Sequence, residues 1–431
     1  MEQLINFIIR PPRAEYDPKH DLLESEFMLK GRWYRRKDLE VVNSRSDVLQ
    51  CSHYMPLILP EDKTLPCVIY CHGNSGCRTD ASEAAVILLP SNVSVFTLDF
   101  SGSGLSGGEH VTLGWNERDD LRAVVDYLRA DGNVSLIGLW GRSMGAVTSL
   151  MYGAEDPSIA GMVLDSPFSD LVDLMMELVD TYKVRVPKFT IKFVIQYMRR
   201  SIQKKANFDI ADLNAAKVAK SCFVPVLFGH ATDDDFIQPH HSDRIFEAYI
   251  GDKNIIKFEG DHNSPRPQFY FDSVSIFFKN VLQPPEEGVS GSEYFDLADN
   301  YFFNRGRWNL VGDDEFSDEQ PPLGSEVFSG ESTEDAIRQL RSRRPMSSII
   351  FVFFFFLQVP NDISSKDDHR PTSQVCDSSD QNMISFEFSS RDGGGSTNED
   401  EEYVEYPLDD FPSNVEEEER MITKAILESL K

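Results

Sequence analysis

Val134-Ser135-Leu136-Ile137-Gly138-Leu139-Trp140-Gly141-Arg142-Ser143-Met144-Gly145-Ala146-Val147-Thr148-Ser149-Leu150-Met151-Tyr152-Gly153-Ala154 reads as a strand, a sharp turn and a helix. Its first seven residues are apolar and β-prone, its last nine suit a closely packed helix, and a G-x-S-x-G pentapeptide stands between them. A serine at such a bend is pushed out at the carboxyl edge of a sheet. The flanking glycines remove side chains that would collide there. The context predicts a nucleophile elbow with Ser143 as the nucleophile.

Outward from the elbow the same alternation recurs. Residues 67–71 form a buried apolar run leading into His72-Gly73-Asn74-Ser75-Gly76, and residues 80–89 read as the returning helix. The run 93–100 leads into a glycine-rich turn ending at Gly108, followed by a helix over 117–129. After the elbow, runs at 159–165, 224–230 and 255–258 continue the pattern. Upstream, 39–42 and 48–53 read as a strand pair joined by the turn 43–47. Repeated strand-then-helix units imply an α/β fold with a mostly parallel sheet, helices on both faces, and a ligand crevice at the strands' carboxyl ends. The glycines of 101–108 lack the Lys-Ser/Thr of a phosphate loop and are not followed directly by a helix, which argues against a nucleotide site.

Where the alternation stops, the organisation of the chain changes. Residues 1–37 read as a polar lead-in, 38–282 as the α/β domain with a cap inserted at about 168–207, and 283–431 as an acidic, largely disordered tail. The full chain of 431 residues carries a formal charge of −29. Residues 1–285 hold 30 Lys and Arg against 38 Asp and Glu, whereas the remainder holds 12 against 33, so the tail repels itself and suits no nucleic acid.

Six cysteines without a framework spacing imply reduced thiols and a cytoplasmic protein. Zinc at Cys67, Cys71, His72 and Cys77 is disfavoured, because neighbours on a strand face opposite ways and no C-x-x-C is present. The segment 1–12 has no secretory signal or myristoylation start. From 183 to 205 the cap carries eight Lys and Arg and no acid, with Phe189, Phe193, Val194, Tyr197, Met198 and Ile202 at helical spacing. That pattern suits a packed cap helix, and also a peripheral contact with an anionic membrane. Residues 349–359 are Phe-rich but too short to span a bilayer. Phe-rich sequence running into Leu-Gln is what a translated splice acceptor encodes, and 349–358 is read as such an intron end.

A nucleophilic serine needs a base, and the base needs an acid that sets its tautomer. His262, in the loop after the last strand, is the expected base; His72, His230, His240 and His241 read as supporting groups. The acid lies among Asp233, Asp234 and Asp235, which chemistry alone does not separate. Here the residues resemble the α/β-hydrolases. The stretch 229–237 is similar to their H-G-x-x-D-x-x-V acid loop with the leading pair reversed, 72–76 to their oxyanion loop, and 99–108 to their D-x-x-G-x-G-x-S-x-G turn. Over about 38–282 the resemblance is to the serine aminopeptidase-like and protein-depalmitoylase-like branch. It implies Asp234 as the acid, an oxyanion hole from the N–H groups of Met144 and Asn74 or Ser75, and hydrolysis through a serine ester without metal or cofactor. The depalmitoylases' N-terminal cysteine cluster has no counterpart before Cys51.

A cap with Met175, Met176, Phe189 and Phe193 favours an apolar acyl substrate, free or on a protein, over a peptide's free amine. The competing reading is a noncatalytic interaction protein acting through its tail. There, 414–430 reads as a short helix with a capping box at Ser413 and Glu416, and 415–430 resembles a ubiquitin-interacting motif, with Ala425 and Ser429 on its binding face.

Overall fold

The computed structural model describes residues 2–58, 64–181, 188–285, 326–328 and 332–343. All of them fall within the compact unit Met1–Leu357. Ten strands form one sheet: β1 (Glu26–Leu29), β2 (Arg32–Val42), β3 (Val48–Pro56), β4 (Leu65–Cys71), β5 (Ser94–Leu98), β6 (Val134–Arg142), β7 (Gly161–Asp165), β8 (Val226–Ala231), β9 (Lys253–Phe258) and β10 (Glu326–Phe328). Their order is β10-β1-β2-β3-β5-β4-β6-β7-β8-β9. The hairpin strands β1 to β3 pair antiparallel, and β3 pairs antiparallel with β5. From β5 to β9 every pairing is parallel.

Parallel strands need crossover helices, and these cover both faces. On one side lie α3 (Glu117–Asp131), α4 (Met144–Glu155), α7 (Ala215–Ala219) and α8 (His240–Ala248), each touching the next. On the other lie α2 (Ser82–Leu88), α9 (Gln268–Leu282) and α10 (Thr333–Arg343). The two-residue period of a strand divides the core accordingly. Cys67, Ile69 and Cys71 of β4 join the first side's cluster, while Val68 and Tyr70 join the second. Met162 and Leu164 of β7 likewise oppose Val163. This is the α/β-hydrolase fold, with the crevice above β4 to β9.

Above that crevice the excursion between β7 and β8 supplies α5 (Leu171–Thr181) and α6 (Lys188–Ala206), where a cap was expected. The five thiols at Cys51, Cys67, Cys71, Cys77 and Cys222 are buried and unbridged; Cys376 lies outside the described residues. Among the described residues no helix is long and apolar enough to cross a membrane.

Two expectations change. The lead-in 1–37 is not a polar approach: it holds α1 (Glu2–Ile9), with Ile5, Ile8 and Ile9 buried, all of β1, and the first half of β2. Nor is the stretch 283–431 wholly apart from the fold. β10 extends the sheet beside β1, and α10 packs on α2 through Ala336, Ile337 and Leu340. Arg341 seals that contact with an ion pair to Glu83 at 2.6 Å. The expected intron-like stretch 349–358 and the ubiquitin-binding helix 414–430 lie outside the described residues.

Candidate active site

The elbow is built by close approach of backbone. Ser143 sits at φ 53°, ψ −116°, between the end of β6 and the start of α4, a conformation that L side chains seldom adopt. Its N–H is held by the carbonyl of Asp165 on β7 at 2.7 Å. A Cβ on Gly141 would stand 2.1 Å from the Gly145 carbonyl oxygen, and one on Gly145 would stand 2.0 Å from that of Cys71. Both glycines are therefore obligatory: the strand-to-helix turn folds on itself and packs on the end of β4.

His262 reaches the serine from the loop after β9. Asp234 Oδ2 lies 2.6 Å from His262 Nδ1, and a carboxylate only accepts, so Nδ1 carries the proton. Nε2 then accepts from the Ser143 hydroxyl at 3.2 Å. Asp234 is buried, whereas Asp233 and Asp235 are exposed, which separates three carboxylates alike in chemistry. Its other oxygen accepts the N–H groups of Phe236 at 3.1 Å and Ile237 at 2.8 Å. Burial pushes this carboxyl up, but hydrogen bonds and charge from His230 and His262 outweigh it and hold the group well below the ordinary carboxylate range. Burial lowers His262 and Asp234 raises it, and with the charges of Arg142 and Arg266 also lowering it the ring sits below its ordinary value.

The supporting histidines behave as read. His72 fixes the loop after β4, Nε2 accepting the Phe100 N–H at 3.0 Å and Nδ1 facing the Gly73 carbonyl at 2.7 Å. His230 ties the Ile237 carbonyl to Ser242 at 2.7 and 2.6 Å. Of the three expected oxyanion residues, Asn74 and Met144 line the cavity beside Ser143. Met144 opens α4, where an N–H has no carbonyl four residues back to bond. The Ser75 N–H is instead taken by Asn74 Oδ1 at 3.1 Å, and Ser75 is not among the lining residues.

The cavity measures about 810 Å³ with its open mouth. Apart from Asn74 and Ser143 its lining is apolar: Phe7 and Ile8 of α1, Leu113, Met144, Phe168, four residues of α5, Phe236 and Ile237. Met175 is one of the four; Met176 and Phe193 are half-buried elsewhere, and the side chain of Phe189 lies outside the described residues. Leu113, at φ 56°, is pinned because Glu117 accepts the N–H groups of its neighbours Thr112 at 2.7 Å and Gly114 at 2.9 Å.

Two groups escaped the sequence reading. Arg266, buried, binds Asp165 through both carboxylate oxygens at 2.9 and 2.8 Å and reaches the Ser264 carbonyl at 2.9 Å. Arg142 of the pentapeptide donates to the His262 carbonyl at 2.9 Å. Together they fasten the base loop to the elbow. The basic stretch 183–205 is also less bare than it reads, since Arg199 pairs with Asp209 at 2.6 Å and Lys205 with Glu2 at 2.8 Å.

Glu177 of α5 and His240 and His241 of α8 bring ligand-type atoms within 4.8 Å of one another. They do not suit a metal. The Ser169 N–H points at His241 Nδ1 at 3.2 Å, which places the ring proton on Nε2, and Nε2 spends it on Glu177 at 2.9 Å. With His240, also 2.9 Å from Glu177, the cluster clamps the cap to the helix after the acid loop.

Residues 62–211 match the family model described as serine aminopeptidase, S33. YqkD of Bacillus subtilis is 28% identical over 236 residues, which span 53% of this chain and 76% of YqkD. A putative monoglyceride lipase of Schizosaccharomyces pombe is 24% identical over 276 residues, 54% of this chain and 72% of that one. Among solved structures, an esterase of Pyrococcus furiosus aligns with a TM-score of 0.49 at 21% identity, over 64% of this chain and 98% of its own.

Proposed function

We propose that the protein is a serine hydrolase that cleaves an ester or thioester of an apolar acyl group. One observation carries the reading: the row Asp234, His262, Ser143, at 2.6 and 3.2 Å, ends in a cavity whose lining has no charge. The likeness of 62–211 to a serine peptidase family supports the chemistry. A free-amine substrate would call for a carboxylate in the cavity, and the lining residues include none.

In this mechanism neutral His262 takes the Ser143 proton on Nε2 as Oγ attacks the acyl carbon. The imidazolium so formed is held by the Asp234 carboxylate. The carbonyl oxygen becomes an oxyanion that the Met144 N–H at the start of α4 and the Asn74 N–H receive, where the helix end favours negative charge. As the intermediate collapses, His262 returns the proton to the leaving alcohol or thiol and an acyl-serine remains. Water, deprotonated by the same imidazole, then attacks that ester and frees the acid.

The test is labelling by a fluorophosphonate together with hydrolysis of p-nitrophenyl esters. Ser143→Ala and His262→Ala should each lower kcat by about 10⁴-fold or more and abolish labelling while circular dichroism stays native. A folded wild-type chain that neither labels nor hydrolyses refutes the reading.

A further inference from the structure

We propose that α1 is the length gauge of the acyl site, with Phe7 as the residue that sets it. The proposal rests on the hydrolase reading for its substrate, an unbranched, uncharged acyl chain, but its geometry is independent of the chemistry. The sheet edge and elbow supply the reacting end of the cavity, and α5 supplies four apolar side chains. Phe7 and Ile8 supply wall that neither provides. Residues matching the serine peptidase family begin only at 62, so this wall comes from outside the matched region.

A wall discriminates only if it holds its place, and α1 is fastened at its start, on its buried face and at its end. At its start Glu2 pairs with Lys205 of α6 at 2.8 Å. Ile5, Ile8 and Ile9 are buried in the same core cluster as the elbow helix. At its last residue the Val111 N–H donates to the Ile9 carbonyl at 2.8 Å, and just past its end Arg13 donates to the Ser106 carbonyl at 2.7 Å. Tyr16 then gives its hydroxyl proton to Asp99 at 2.7 Å and accepts from Arg78 at 2.6 Å, both partners being buried. The same 99–113 loop carries Leu113 into the cavity, so α1 and Leu113 are fixed as one piece. An acyl chain that outgrows such a wall must displace a packed helix, whereas one that falls short leaves apolar surface unfilled.

Removing the ring of Phe7 lengthens the space and enlarging it shortens the space, so two variants predict opposite signs. In the full chain, kcat/KM is measured for p-nitrophenyl esters from acetyl to palmitoyl with wild type, Phe7→Ala and Phe7→Trp. Binding of the same esters is measured in each Ser143→Ala background, where hydrolysis is removed. Phe7→Ala should raise the long-to-short ratio by about 10-fold and Phe7→Trp should lower it, in both measurements. Ester hydrolysis that depends on Ser143 while both variants keep the wild-type length profile overturns the gauge and leaves the hydrolase reading intact. A binding profile that follows Phe7 in a chain that hydrolyses nothing supports the gauge and sinks the hydrolase reading. No ester binding in any variant overturns both.

Discussion

At Ser143 a single dihedral angle holds the site together, because φ 53° is tolerated only where neighbours over-determine it. The Asp165 carbonyl on its N–H and the glycines on either side supply that constraint. The pairing of His262 with Asp234 has a consequence in pH. In the proposed mechanism His262 must be neutral to act, and burial, with the charges of Arg142 and Arg266, depresses it below its ordinary 6.5 despite the carboxylate beside it. Activity therefore rises with pH through that lowered value and is level at neutrality, so the acid-limb midpoint of kcat/KM should lie below 6.5. Asp234→Asn removes a contribution that raises the imidazole, and should shift the midpoint lower still while cutting kcat by about 10⁴-fold. A midpoint that moves upward in that variant would contradict the assignment of Asp234. At this acid, chemistry alone does not separate Asp233, Asp234 and Asp235; the resemblance to the hydrolase acid loop selects Asp234, and in the structure its burial against His230 and His262 sets it apart.

Among the elements, the carboxyl end of β7 does the most positioning. Its Asp165 holds the elbow through its carbonyl and, through its carboxylate, Arg266, whose own donors grip carbonyls on the loop that bears His262. Ser143 and His262, the nucleophile and base of the proposed mechanism, thus share one strand end. Truncating Arg266 leaves Asp165 buried and unpaired, a loss of about 3–5 kcal/mol, readable from urea midpoints. Arg266→Lys keeps the charge without the fork; it should cost less stability, yet lower kcat with KM little changed as the base loop loosens. A raised KM with kcat unchanged would assign Arg266 to substrate binding instead. The parallel strands were legible because each carries a short apolar run, and β4, β5 and β6 lead into glycine-rich turns. Arg266 was not, since its partner lies 101 positions away. α1 was passed over because 4–9 is a short apolar run whose burial depends on α6 and the 99–113 loop, distant in sequence.

At the scale of the molecule, the described residues form two core clusters that sandwich the sheet, and α10 belongs to the one on the face formed by α2 and α9. Its start carries a signal that could have been read: Ser332 accepts the Asp335 N–H at 3.1 Å and donates its hydroxyl to the Asp335 carboxylate at 2.7 Å, an N-cap ahead of the apolar Ala336, Ile337 and Leu340. Acidic, serine-rich surroundings masked it. Arg341 carries the dock toward the site, since it also donates to the Arg266 carbonyl at 3.3 Å. With Leu340 fully enclosed, Leu340→Ala should cost about 2–5 kcal/mol in chemical denaturation. An unchanged midpoint would mean that α10 does not contribute to the cooperative unit.

The pairing of β1 with β10 sets a timetable for synthesis. Phe27 of the one lies opposite Glu326 of the other, and Lys30 bonds Thr333 across 303 positions of chain. A ribosome adding about 5–20 residues per second needs roughly 15 to 60 s to make that span. Throughout it the nascent sheet ends in a bare strand, with free N–H and C=O groups open to any neighbouring polypeptide. A ribosome stalled before residue 326 would hold the chain in that adhesive state, and the emergence of β10 is what closes it.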